Sequence, residues 1–147
     1  MRLQSKLLVD YTAEQVTDFF YHPSSLAKWD KSVTEMIPIS NAANATHAAF
    51  DTIAPSGKRM NYEVIELNAD KSVKIKLLNS KMFKQAIWHF QFVPVGQTTE
   101  IICSVHIKLR LLYIFLYPVL YFNRSALLRD LRFLRDALDE NYRTEQV

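Results

Sequence analysis

From Arg2 to Tyr11 the chain alternates, with Leu3, Leu7, Val9 and Tyr11 on one side and Arg2, Gln4, Lys6 and Asp10 on the other. A period of two reads as a strand with one face buried. Thr12-Ala13-Glu14-Gln15 then forms a capping box, in which Thr12 accepts from the Gln15 amide and Gln15 reaches back. Val16, Phe19 and Phe20 follow at helical spacing, and Pro23 stops that helix. Pro23 also suits the first turn of a second short helix, running through Leu26 to about Trp29.

Beyond Asp30 the pattern becomes one of strands and turns. Strands are predicted over Val33 to Ile39, Thr46 to Ile53, Lys58 to Leu67, Ser72 to Leu78, Phe83 to Val93 and Thr99 to Leu109. The turns between them fall at Asn41-Ala42-Ala43-Asn44, Pro55-Ser56-Gly57, Asn68-Ala69-Asp70-Lys71 and Val95-Gly96-Gln97-Thr98. Short turns joining consecutive strands predict an antiparallel meander. Ala86, Trp88, Phe90 and Phe92 share one face of their strand, and Ile101, Cys103, Val105, Ile107 and Leu109 point inward from the next.

From about Leu112 to Tyr142 the period is helical, with Leu116, Leu120, Leu127, Leu131, Leu134 and Leu138 on one stripe. Pro118 would kink this helix or start its main segment. The predicted fold is α+β: one strand, two short helices, a curved antiparallel meander and a long amphipathic C-terminal helix. The terminal helix is the only element long enough to cover such a sheet's apolar face.

Composition narrows the chemistry. The chain has 147 residues and no linker, low-complexity tract or repeat, which predicts a single domain over 1–147. Its two glycines, Gly57 and Gly96, lie too far apart for a phosphate-binding loop, a dinucleotide fingerprint or a nucleophile elbow. One cysteine, Cys103, excludes an internal disulfide and a multi-cysteine zinc site. His22, His47, His89 and His106 show no metal-ligand spacing, so no metal or other cofactor is expected.

The net charge of +3 is too small to imply nucleic acid without clustering, and none is expected as a partner. Lys71, Lys74, Lys76, Lys81 and Lys84 form the densest basic region, and Lys74 and Lys76 alternate with Val73, Ile75 and Leu77 as the wet side of a strand does. The N-terminus lacks the continuous apolar run of a secretory signal. Leu111 to Phe122 is the longest apolar stretch, and its 12 residues fall short of the about 20 a bilayer requires. A cytoplasmic location is the resulting expectation.

The order of parts, with particular residues in place, resembles the START-like, birch-pollen-allergen-like superfamily (SRPBCC), and its polyketide cyclase/dehydrase-like branch in particular. The residues that carry the likeness are Thr12-Ala13-Glu14-Gln15-Val16 with Phe19-Phe20, Leu26-Ala27-Lys28-Trp29-Asp30, and Tyr62-Glu63-Val64-Ile65-Glu66. Trp88-His89-Phe90 and the helix Leu127-Leu128-Arg129-Asp130-Leu131-Arg132-Phe133-Leu134 complete the set. The resemblance implies a helix-grip fold with an elongated apolar cavity between sheet and terminal helix. Glycines common in the loops of relatives are scarce here, and Leu109 to Pro118 is unusually aromatic.

In that fold the cavity wall would comprise Tyr62, Trp88, Phe90, Cys103, Val105, Leu116, Leu120 and Leu127, although the same residues also suit a filled core. Tyr62 and Trp88 would orient a ligand through their polar atoms, together with Arg110. Glu35 shares parity with Val33, Ile37 and Ile39, which makes it the first carboxylate to consider as an acid or base. Cys103, inward and without an evident base, is expected to be inert.

Three functions follow. The first is binding, with or without transport, of a hydrophobic small molecule or lipid. The second is a cyclase, dehydratase or aromatase working through a cavity acid/base pair. The third is a membrane-surface carrier of lipid or quinone, with Tyr113 to Phe122 meeting the membrane. Against that third role, the same stretch also suits packing on the sheet or on another subunit.

Overall fold

The computed structural model describes residues 1–39, 47–69 and 71–145. Seven strands form one antiparallel sheet: β1 (Arg2–Val9), β2 (Glu35–Pro38), β3 (Ala49–Ile53), β4 (Arg59–Asn68), β5 (Ser72–Leu78), β6 (Phe83–Val95) and β7 (Thr98–Leu109). Their order is β1-β7-β6-β5-β4-β3-β2, a meander whose last strand returns to pair with the first. The helices are α1 (Ala13–Phe20), α2 (Leu26–Trp29), α3 (Tyr117–Phe122) and α4 (Ala126–Glu145), with a 3-10 helix over Leu111–Leu116. The Asn41–Asn44 turn, Thr46 and Asp70 lie outside the described residues.

Local chemistry accounts for the element ends. The Thr12 hydroxyl accepts from the Gln15 amide at 3.2 Å, and the Gln15 side chain accepts from the Thr12 amide at 3.0 Å. Two orphan donors at the start of α1 are thereby satisfied. Gly57 and Gly96 take φ of 85° and 64° in their turns, a region where a side chain is strained.

The strand register places one apolar row across the concave face. Leu3, Val105, Trp88 and Ile75 stand opposite one another from β1 to β5. Alongside, Cys103 faces Phe90, and Tyr62 stands between Phe50 and Leu77. A bulge between Val64 and Glu66 shifts the pairing of β4 on β5, and such a bulge increases local twist.

The terminal helical region differs from the expected continuous stripe. The chain breaks at Asn123–Ser125, and the segment Leu111–Phe122 is bent 59° from α4. Pro118 occupies the first turn of α3, where its missing N–H is harmless. Leu131, Leu134 and Leu138 on α4 are fully buried against the sheet, whereas Leu116 and Leu120 belong to the other side of the bend and are only half-buried. A period of 3.6 residues continues across a bend in the sequence but not in space. No single described helix is long and apolar enough to cross a membrane.

Candidate functional site

At one end of the gap between α4 and the sheet lies a partly open cavity of about 200 Å³. Its sheet wall is aromatic. Phe50 and Tyr62 stack with ring centroids 5.2 Å apart, and Trp88 meets Tyr62 edge-on at 6.0 Å. Phe20 and Trp29, from the two short helices, close a second side and contact Phe90 at 4.8 and 6.2 Å. The α4 side consists of Leu127, Asp130 and Leu131. A smaller void of about 60 Å³ adjoins it, with Phe20, Leu26, Trp29, Phe50 and Ile75 common to both.

Of the eight residues expected at the wall, the structure brings together Tyr62, Trp88, Phe90, Cys103 and Leu127. Val105 is buried beside Trp88 and Leu3 in the sheet row and does not line the cavity. Leu116 and Leu120 are carried away by the bend before α4. Arg110 is also remote: its guanidinium Nε donates to the Ser80 carbonyl at 3.2 Å. Glu35 is exposed on the edge strand β2, where Met36 takes the inward position that parity with Val33 had suggested for Glu35. The irregular backbone before β2 breaks that parity, since Val33 lies outside the strand.

Two carboxylates missing from the expected site stand at the cavity, Asp30 and Asp130. Burial pushes the Asp130 carboxyl above its ordinary range, and the nearby Asp30 charge adds to this while Arg129 opposes it. The Arg129 contact is loose, 3.8 Å between Nε and Oδ1. Asp30 instead is fixed by Ser32, whose amide and hydroxyl donate to Oδ1 at 2.9 and 2.6 Å. Asp130 was legible in one respect. It falls three residues after Leu127 and one before Leu131, a charged position on an otherwise apolar stripe. A carboxylate there cannot join a dry packed layer without losing its hydration, so the helix and sheet stay apart around it.

Tyr62 is half-buried, and burial raises its hydroxyl pKa, with a hydrogen bond to Thr52 opposing the shift. The hydroxyl also lies 3.9 Å from the Met60 sulfur, to which it donates weakly, so the atom expected to orient a ligand already has an acceptor within the protein. Cys103 is buried as expected, and burial pushes its thiol up to about 12, the charge of Asp130 adding to the effect. At neutral pH it is a small apolar wall residue, not a thiolate. Among the described residues no group of His, Cys, Asp and Glu is arranged to hold a metal ion.

Residues 2–137 match the family described as polyketide cyclase/dehydrase and lipid transport. No curated protein matches the chain significantly. Among solved structures, a START superfamily protein from Mycobacterium smegmatis superposes with a TM-score of 0.76 at 14% identity, covering 95% of this chain and 97% of that one. A protein from Mesorhizobium loti gives 0.75 at 12% identity, with 95% and 98% covered. Norcoclaurine synthase from Thalictrum flavum, in complex with dopamine and hydroxybenzaldehyde, gives 0.72 at 12%, with 97% and 86% covered. At these identities the likeness is one of fold, the helix-grip arrangement of sheet around helix.

Proposed function

The chain belongs to the polyketide cyclase/dehydrase and lipid transport family, and from that premise we propose that it binds a small hydrophobic molecule in the cavity under the first turn of α4. The observation that carries this reading is the unfilled space of about 200 Å³ against an aromatic wall. Burying apolar ligand surface there supplies the driving force, about 25 cal/mol per Å². Size sets the ligand class. An apolar cavity of about 150 Å³ holds a benzene, while drug-sized ligands occupy about 300–1,000 Å³. The cavity thus suits a single ring or a short chain, and a longer chain would extend through its open side. A protein of the same fold holds dopamine and hydroxybenzaldehyde, ligands on that scale. Asp30, Asp130 and Tyr62 would orient a ligand's hydrogen-bond donor. The reading assigns a cytoplasmic, single-domain protein without a cofactor.

Both tryptophans of the chain, Trp29 and Trp88, line the cavity. Titration with toluene should therefore change the intrinsic emission saturably, and Leu127→Phe, which fills the space, should weaken the response about tenfold, the equivalent of about 1.4 kcal/mol. A response that does not saturate, or that Leu127→Phe leaves unchanged, contradicts the reading.

One observation favours a second function, catalysis of the cyclase or dehydratase type. A carboxyl whose pKa is raised by burial takes up and returns a proton more readily near neutral pH, and burial shifts Asp130 upward. The molecule that copurifies, identified by native mass spectrometry, would then be converted by the native protein and not by Asp130→Asn. Its recovery unchanged from both contradicts catalysis and leaves binding intact.

A further inference from the structure

The segment between β7 and α4 is tied back to the sheet, yet most of its large apolar side chains face solvent. Tyr117 anchors it, its hydroxyl accepting from the Leu109 amide at 3.0 Å. The 3-10 turn and α3 then present Leu111 and Leu112 at 80% and 82% exposure, Phe115 at 68% and Phe122 at 77%. Eleven large apolar side chains among the described residues are exposed, and seven of them fall within these twelve consecutive positions. Scattered exposed apolar residues are ordinary, whereas a contiguous set of this kind marks an interaction surface.

Charge identifies what covers it. Between Ser80 and Ser125 the sequence carries five Lys and Arg and one acid, Glu100. Glu100 lies at the start of β7, while the patch follows the end of that strand. Arg110 and Arg124 bracket the patch. Arg124 lies over the Tyr121 ring at 4.4 Å, its guanidinium beside the apolar surface. Lys108 is exposed on the last turn of β7, and the exposed Lys81 neighbours Ser80, whose carbonyl receives Arg110. Aromatic and aliphatic side chains ringed by cations match the boundary of an anionic bilayer, where acyl chains take the rings and headgroups take the charges. A second copy of this chain fits poorly, because a two-fold contact would set these cations against their own images.

We propose that Leu111–Phe122 docks the protein on the surface of an anionic membrane, with Leu112, Phe115 and Phe122 inserted and Arg110 and Arg124 at the headgroups. Leu127, at the cavity wall, lies five residues beyond Phe122, so docking brings the α4 end of the cavity toward the bilayer. The proposal stands apart from the nature of the cavity ligand.

Co-sedimentation with vesicles of phosphatidylglycerol and phosphatidylcholine tests it, beside vesicles of phosphatidylcholine alone. The protein should pellet with the anionic vesicles and release as salt rises, since the cationic contribution is screened. Phe115→Ser/Phe122→Ser should lower the bound fraction about tenfold, and Arg110→Gln/Arg124→Gln should bring the anionic vesicles to the level of the neutral ones. All four side chains are exposed, so melting temperature and the toluene response should be unchanged, which separates failure here from failure of the cavity reading. Absence of pelleting with anionic vesicles overturns the proposal, as does pelleting that survives Phe115→Ser/Phe122→Ser. A dimer by light scattering that this variant dissociates, without vesicle binding, assigns the patch to a second copy and overturns it too.

Discussion

The two ends of α4 face the same sheet and meet it differently. Toward its C-terminal end, Leu134 and Leu138 are fully excluded from solvent against Val9, Val16 and Ile101. Polar ties close that end. The Tyr142 hydroxyl donates to the Gln15 carbonyl at 2.6 Å and the Tyr11 hydroxyl to Asp139 at 2.7 Å, with the two rings 5.1 Å apart. Burial and the Asp139 carboxylate raise Tyr11 to about 12, so this donor keeps its proton across the physiological range. Toward the N-terminal end, Leu127 and Asp130 face rings that stack on one another instead of reaching the helix. One stripe of residues thus makes a core at one end and borders a cavity at the other. Each end carries a carboxylate, and the difference lies in its partner: Asp139 accepts from the Tyr11 hydroxyl, whereas Asp130 lines the cavity with only the loose Arg129 contact among the described residues.

That contrast can be broken at either end, and the largest effect is expected at the filled one. Leu134→Ala should cost about 2–5 kcal/mol in urea unfolding, because the surrounding side chains cannot collapse into the vacated space. A loss below about 1 kcal/mol would mean that this end is not close-packed. Leu127→Ala, at a position already beside open space and half-buried, should cost about 1 kcal/mol while enlarging the toluene site. Equal losses from the two alanine variants would erase the distinction.

Smaller still is the effect of Asp130. Its native carboxyl binds a proton more readily than it does in the unfolded chain. Native molecules therefore hold more protons over the interval between the two values, and stability falls as pH rises through it. Asp130→Asn should flatten that part of the stability–pH profile and leave the variant slightly more stable at neutral pH. An unchanged slope would show that Asp130 is not desolvated at the cavity, and would remove the basis for proton transfer there.

Much of the fold was legible because strand and helix periods in this chain are clean. β5 runs over Ser72–Leu78 as the alternation predicted, and the capping box of α1 forms as Thr12 and Gln15 implied. Strand ends moved by a residue or two, as β6 and β7 extend through Val95 and Thr98 to close their hairpin. The bend at Asn123–Ser125 was not legible, since leucine spacing does not register a change of helix direction. For the same reason leucine spacing places Leu116 and Leu120 at the wall, and it gives no sign that most large apolar side chains of Leu111–Phe122 face solvent. Inward parity found Tyr62, Trp88, Phe90 and Cys103 on the strands. Phe20 and Trp29 were missed because their place depends on how the short helices dock, and that is tertiary information.

The central claim is that the hollow end of the gap admits an apolar molecule. A crystal of the protein soaked with iodobenzene tests it most directly, because iodine scatters anomalously and marks its own position. The account predicts one dominant iodine peak among Tyr62, Trp88 and Leu127, absent from Leu127→Phe crystals. An empty cavity, or iodine confined to the surface of Leu111–Phe122, would contradict it.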